Sequence, residues 1–238
     1  MIKTYDMALI DDLNWRYATK KMNGQVVPQE KLEYILEAAR LAPSSSGLQQ
    51  YKIIVISDKT LLEKIKGFSY HQSQITDCSH LLIWVAWDGY TDERISSVFN
   101  DMMDERNLPH STMDSYRKTI LNLYEEAGQE WQAHHASKQS YISFAMAIAA
   151  AAEQKVDATP MEGFIAEKLD DLLKLKETGY KTTVILPLGF RETENDWLVN
   201  MKKFRIPKDK FIMEMTMEDA ADIAGQPMEQ TLDDFTQK

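Results

Sequence analysis

The chain has 238 residues, 44% of them apolar, and carries a net charge of −10. Its length and apolar content allow one large α/β domain with a sizeable core, and no dominant basic field favours a nucleic-acid partner. The lone cysteine, Cys78, excludes an intrachain disulfide framework and a cysteine-cluster metal site, and fits a reducing compartment.

Residues 5–14 predict a short opening helix, followed by the polar and basic run Trp15-Arg16-Tyr17-Ala18-Thr19-Lys20-Lys21. Pro28 stands at a helix start, and Leu32, Ile35, Leu36 and Ala39 form an apolar stripe at helical spacing that stops before Pro43. The segment Pro43-Ser44-Ser45-Ser46-Gly47 then makes a small polar loop before a strand at 52–56. Such a loop presents backbone N–H groups and hydroxyls to something acidic or flat, or only to water. Further strands are predicted at 81–86 and 182–186, from their β-branched and large apolar residues. Helices are predicted near 59–67, 91–105, 112–127, 137–154 and 165–175. Strands separated by helices cannot be simple hairpins, so the expected class is α/β (α+β), with a mixed central sheet flanked by helices.

The helix at 137–154 is apolar on nearly every face, with Ile142, Phe144, Met146, Ile148 and the alanines up to Ala152. It reads as buried all round, in the core or partly against a second subunit. From Met213 to Lys238 there are seven acids and one base, so most of the net charge sits at one end. The expected division is a domain over 1–207 and an acidic C-terminal extension over 208–238.

No two glycines are spaced G-x-G, so the dinucleotide fingerprint and the phosphate-binding P-loop are both absent, and no G-x-S-x-G occurs. Ser44–Ser46 could supply a nucleophile, yet no motif pairs them with a histidine. Glu126, Glu130 and His134 would share one face if that region is continuous helix, which suits a metal but more often a solvated acidic surface. No H-E-x-x-H pattern is present, so no metal is expected. The first residues lack a signal-peptide core, and the apolar run at 144–152 is far too short to span a bilayer. The expected location is the cytoplasm, with no membrane partner.

Two basic clusters, Arg16–Lys20–Lys21 and Lys202-Lys203-Phe204-Arg205, flank strand-like cores. Each alone reads as exposed surface; together they could grip one phosphate, arginine as a planar fork and lysine as a point charge. The segment Asp157-Ala158-Thr159-Pro160-Met161-Glu162-Gly163-Phe164 is either a loop between helices or a backbone surface laid against a flat ligand, where glycine permits close approach.

At these residues the chain resembles the nitroreductase family of flavin enzymes. Four blocks match in order: Arg16-Tyr17-Ala18-Thr19-Lys20, Ala42 to Tyr51, Asp157 to Phe164, and Lys203-Phe204-Arg205-Ile206-Pro207 following Leu186-Pro187-Leu188-Gly189-Phe190. The stretch Asp77-Cys78-Ser79-His80 and the pair Lys138-Gln139 add to the match. The resemblance implies FMN at the interface of an intertwined homodimer. It implies that Arg16, Lys203 and Arg205 hold the phosphate, within a cofactor-binding block that includes Tyr17 and Ala18. Lys20, His71 and Gln74 would lie by the flavin, and Gln139 would contact the ribityl or flavin region. Pro43, Ser44, Ser45 and Gly47 would reach the flavin from the other subunit. Pro160, Met161, Glu162 and Gly163 would line the opposite side, with a backbone N–H near Glu162 aimed at flavin N5. Phe68 and Tyr70 would face the substrate.

The implied activity passes a hydride from NADH or NADPH, through flavin N5, to a nitroaromatic, quinone or similar small-molecule acceptor in ping-pong fashion. The alternative on the same scaffold is a non-catalytic flavin-binding or flavin-delivering protein. The chain departs from the best-known bacterial members at Ala18, where serine is common, at Gly47, where asparagine is frequent, and at His71 and Gln74, where the oxygen-insensitive members carry asparagine and a cation. Losing that cation should stabilise reduced flavin less.

Overall fold

The computed structural model describes residues 8–216; the expected helical residues 5–7 and the part of the acidic extension over 217–238 lie outside them. The chain divides into two units, one ending at Met201 and the other beginning at Lys202. In the first unit the elements are α1 (Ala8–Trp15), α2 (Gln29–Arg40), β1 (Tyr51–Ile56), α3 (Lys59–Lys66), α4 (Gln74–Asp77), β2 (His80–Trp87), α5 (Asp92–Glu105), α6 (Asp114–Ala127), α7 (Gln129–Glu153), β3 (Asp157–Ala158), α8 (Ala166–Leu172) and β4 (Tyr180–Gly189). The second unit holds the short helix α9 (Lys208–Phe211).

Local chemistry explains where these elements begin and end. The Asp58 carboxylate accepts from Leu61 N–H at the start of α3, and Thr91 Oγ1 accepts from Arg94 N–H at the start of α5. Helix α6 ends at Gly128, whose φ of 80° suits a residue without a Cβ. That glycine also separates α6 from α7. Glu126 therefore lies on a different helix from Glu130 and His134, and the continuous face conceived for a metal does not exist. Among the described residues no group of His, Cys, Asp and Glu could hold a metal ion.

The four strands lie in the order β1-β2-β4-β3 and every pair is antiparallel. This corrects the expected mixed sheet. Helix-bearing connections exclude a tight hairpin, but they do not select a parallel return, because a long excursion can deliver the next strand in either direction. Strand β3, only two residues long, was expected as loop.

Strand β2 is buried at every residue from Leu81 to Trp87 because both sheet faces are covered. Leu82 and Trp84 face one core with Val184, Leu186 and Leu188 of β4, beneath α2 and α7. The alternate residues Leu81, Ile83 and Val85 face a second core with Ile185, Leu62 and Leu169. A third core, with Leu48, Ile95, Phe99 and Ile120, joins α5 and α6 to the end of β2. Trp84 fixes α7 over the sheet: its ring meets Phe144 edge-on at 5.1 Å and its Nε1 donates to Ser143 Oγ, which in turn donates to Ala39 O of α2. The α2 stripe is buried as its spacing predicts, at Leu32, Ile35 and Ala39.

Helix α7 starts at Gln129, earlier than its apolar pattern suggests, because its first turns are polar. It is not buried all round within one chain. Ile142 and Met146 are 40% and 44% exposed, and Ala145 beside them is also exposed.

Candidate active site

The segment after α1 is held by a carboxylate that carries no recognisable motif. Asp196, buried near the end of the first unit, accepts at Oδ2 from Tyr17 OH (2.9 Å), Thr19 Oγ1 (2.6 Å) and Lys20 N–H (2.9 Å), and at Oδ1 from Leu198 N–H (2.9 Å). Burial alone would raise its pKa; the hydrogen bonds, that from Thr19 foremost, outweigh this and hold the carboxyl below its ordinary range. A second clamp comes from Arg191. Its guanidinium pairs with buried Asp157 of β3 and lies 4.3 Å from the Trp15 ring and 4.5 Å from the Tyr17 ring. The Tyr17 side chain is thus committed to Asp196 and Arg191.

These clamps bring three separated stretches together. The carbonyl of Thr19 accepts from Thr159 Oγ1 (3.0 Å) and from Gln74 Nε2 (3.5 Å), so Gln74 is buried against the backbone. Arg16, Ala18 and Lys20 are half-buried on the same run. Among the described residues no carboxylate lies within ion-pairing distance of the Lys20 ammonium, whereas Lys21 is paired with Asp77 at 2.7 Å.

Pro160 to Gly163 continue from β3 along β4. Met161 exchanges both backbone hydrogen bonds with Ile185 (3.0 and 3.1 Å). In such a pair the next residue's N–H points away from the partner strand, so the Glu162 N–H faces outward from the sheet. The Glu162 side chain accepts from Tyr141 OH of α7 at 2.6 Å. Burial first, and then this carboxylate, push the Tyr141 phenol far up. The carbonyl of Gly163 accepts from Gln72 Nε2 at 2.9 Å, which ties the 68–72 turn to this stretch; a Cβ on Gly163 would meet that nitrogen at 2.9 Å. On the turn, Tyr70 and His71 are exposed with φ of 51° and 54°, while Phe68 is half-buried against the second core.

The serine loop stands on the other side of α7. Ser45 N–H donates to Gln139 Oε1 (2.9 Å), and Gln49 N–H donates to Ser44 Oγ (2.9 Å). Pro43 is exposed, and Gly47, with φ of 66°, packs on Met102 of α5, whose Cε would lie 3.2 Å from an added Cβ. Lys203 and Arg205 belong to the second unit, ahead of α9; Arg205 is exposed and its Nη1 donates to Phe204 O. The residues missed from sequence are Asp196, Arg191 and Tyr141. Asp196 sits in the polar run Thr193-Glu194-Asn195-Asp196, where nothing separates a buried acid from a solvated one.

Comparison with known proteins concerns the chain as a whole and its fold. A Staphylococcus haemolyticus protein named as an NAD(P)H nitroreductase is 29% identical over 196 residues, covering 78% of this chain and 89% of that one. The crystal structure of ydfN from Bacillus subtilis, a protein named as a nitroreductase, superposes with a TM-score of 0.78 at 21% identity, over 89% of this chain and 100% of that one. A protein from Exiguobacterium sibiricum named as a nitroreductase, solved in complex with FMN, superposes with a TM-score of 0.72 at 18% identity, over 90% of this chain and 99% of that one. The Nitroreductase family profile matches residues 13–190, and the chain belongs to that family.

Proposed function

We propose that this protein is an FMN-dependent NAD(P)H oxidoreductase of the nitroreductase type. The observation that carries the proposal is the convergence of Gln74 and Thr159 on Thr19 O within the 16–20 run, together with the outward N–H of Glu162. The residues present fit a flavin nucleotide. Lys20 offers a cation without an ion-pair partner among the described residues, Ala18 beside it carries only a methyl group, and the Glu162 N–H is a donor turned away from the sheet.

Bound FMN would supply hydride chemistry at N5, from NADH or NADPH to a nitroaromatic, quinone or similar acceptor, with both substrates using one face in turn. The chain's own residues bind and orient. Arg16, Lys203 and Arg205 would take the phosphate, Lys20 would favour negative charge at the pyrimidine edge, and the Glu162 N–H would address N5. His71 and Gln74 would border the ring without adding a fixed cation of the kind found in the oxygen-insensitive members. Tyr70, exposed beside Gly163, would meet the acceptor, with Phe68 supporting its turn.

The same reading includes a homodimer in which Pro43, Ser44, Ser45 and Gly47 serve the partner's flavin. It is supported by the apolar face of α7 at Ile142, Ala145 and Met146, which a single chain leaves exposed.

The test is an absorbance spectrum of the purified protein followed by anaerobic addition of NADH and of NADPH. A flavin spectrum bleached by either donor supports the proposal; bound flavin that neither donor bleaches would point to flavin storage or delivery instead. Initial rates with both substrates varied should give parallel reciprocal lines, and intersecting lines would count against the shared face. Arg205→Ala should weaken FMN binding, and an unchanged affinity would refute that phosphate contact.

A further inference from the structure

We propose that Tyr90 is a positioning residue of the flavin site, its hydroxyl clamping the far end of the serine loop. The inference rests on the reading of that loop as a flavin contact.

The loop is conformationally demanding. Ser46, Gly47 and Gln49 all have positive φ, at 54°, 66° and 46°. Non-glycine residues persist there only when the surroundings over-determine them. Two anchors supply that constraint, and both return to one turn of α7. At the near end, Ser45 N–H donates to Gln139 Oε1, and Gln139 Nε2 donates to the His135 carbonyl at 3.3 Å. At the far end, the fully buried Gln50 donates from Nε2 to Tyr90 OH at 2.7 Å, and Tyr90 OH lies 2.7 Å from His135 Nδ1. The result is a closed circuit of Ser45, Gln139, His135, Tyr90 and Gln50.

The protons in this circuit can be assigned. Gln50 donates to the Tyr90 oxygen, so the Tyr90 O–H is left to donate to His135 Nδ1, which requires a neutral imidazole. Burial, and then the Lys138 charge, lower the His135 pKa and favour that form. The Tyr90 ring is held independently of its hydroxyl. It meets Trp87 edge-on at 5.6 Å and Tyr124 at 4.2 Å, and its backbone N–H donates to Gln132 Oε1. The hydroxyl is therefore not needed to seat the ring, and serves the loop.

The test uses full-length Tyr90→Phe, with Gln50→Leu cutting the same contact from the loop side. FMN affinity is titrated by flavin fluorescence, and amide hydrogen exchange is followed across the chain. One lost buried hydrogen bond corresponds to an FMN Kd raised about 10-fold. The expected result is that rise, faster exchange confined to residues 44–50, and a double variant no weaker than the worse single one. A change under about three-fold, or faster exchange spread evenly through β2 and β4, would overturn the assignment. Ser45→Asp separates the two ideas. If it leaves FMN binding intact, the loop is not a flavin contact and both readings fall; if it abolishes binding while Tyr90→Phe does not matter, only the clamp is wrong.

Discussion

Replacing Asp196 with alanine tests whether one buried carboxylate holds the 16–20 segment in place. Four donors lose their acceptor: Tyr17 OH, Thr19 Oγ1, Lys20 N–H and Leu198 N–H. Thr19 keeps an alternative, since its hydroxyl also lies 2.9 Å from Lys21 O, so the uncompensated loss falls mainly on the other three. At roughly 1 kcal/mol each, the expected destabilisation is about 3 kcal/mol, a large share of the ~5–15 kcal/mol typical of a folded domain. For a domain of this size that is a Tm lower by roughly 6–12 °C. Asp196→Asn should lose about a third as much, because its oxygen can still accept from three donors while its amide opposes the Leu198 N–H.

Urea unfolding of both variants against the parent, between pH 8 and pH 3, gives the measurement. The Asp196 pKa is lowered in the folded chain, so its contribution should be fully present above the ordinary value of 3.8 and fade as pH falls through the folded pKa. A loss below about 1 kcal/mol at pH 7, or a parent-to-variant difference that grows on acidification, would refute the assigned role.

Gly179→Ala should cost roughly 2–4 kcal/mol by chemical denaturation, since a Cβ there would sit 1.8 Å from Arg94 Nη2 at a φ of +68°. Gly163→Ala should cost about 1 kcal/mol in stability, by displacing Gln72, and should also weaken FMN binding. His80 and His135 both have lowered pKa values, chiefly from burial. The unfolded chain therefore takes up protons first, and stability should fall as pH drops below about 6.5, a trend that His135→Gln should reduce. Cys78 is buried and its thiol is pushed up to about 12. It should react with a thiol reagent at neutral pH only at the rate of unfolding, and rapid labelling of native protein would contradict its placement.

The longer helices and strands are legible in the sequence because their signals are local, whereas the four-residue helices α4 and α9 are not. Leu32, Ile35 and Ala39 announce the buried face of α2, and β-branched runs announce β1, β2 and β4. Strand direction was not legible, since it depends on how the helical excursions return the chain. Which residues of α7 one chain buries was not legible, because its alanines carry no facial contrast, and Ile142 and Met146 remain 40% and 44% exposed. In the site, glycines, serines and prolines mark where the backbone is shaped, so the loop at 43–47 and the turn at 160–163 stand out. The residues that hold those shapes do not. Asp196 meets Thr19, and Arg191 meets Tyr17, only across long stretches of sequence, and neither has a pattern that distinguishes it from a surface charge.

The antiparallel pairing of Ile83 with Ile185 at the centre of the sheet also bears on how the chain reaches its fold. All of α5, α6 and α7 must be synthesised between these partners, so the sheet cannot close until β4 has left the ribosome. Contacts of such high sequence separation slow the search for the native state, because the entropy of closing the loop is lost before the pairing compensates it. Until then β2, apolar on both faces, is exposed to neighbours. The refolding yield should therefore fall steeply with protein concentration, as expected for a strand that waits for a distant partner.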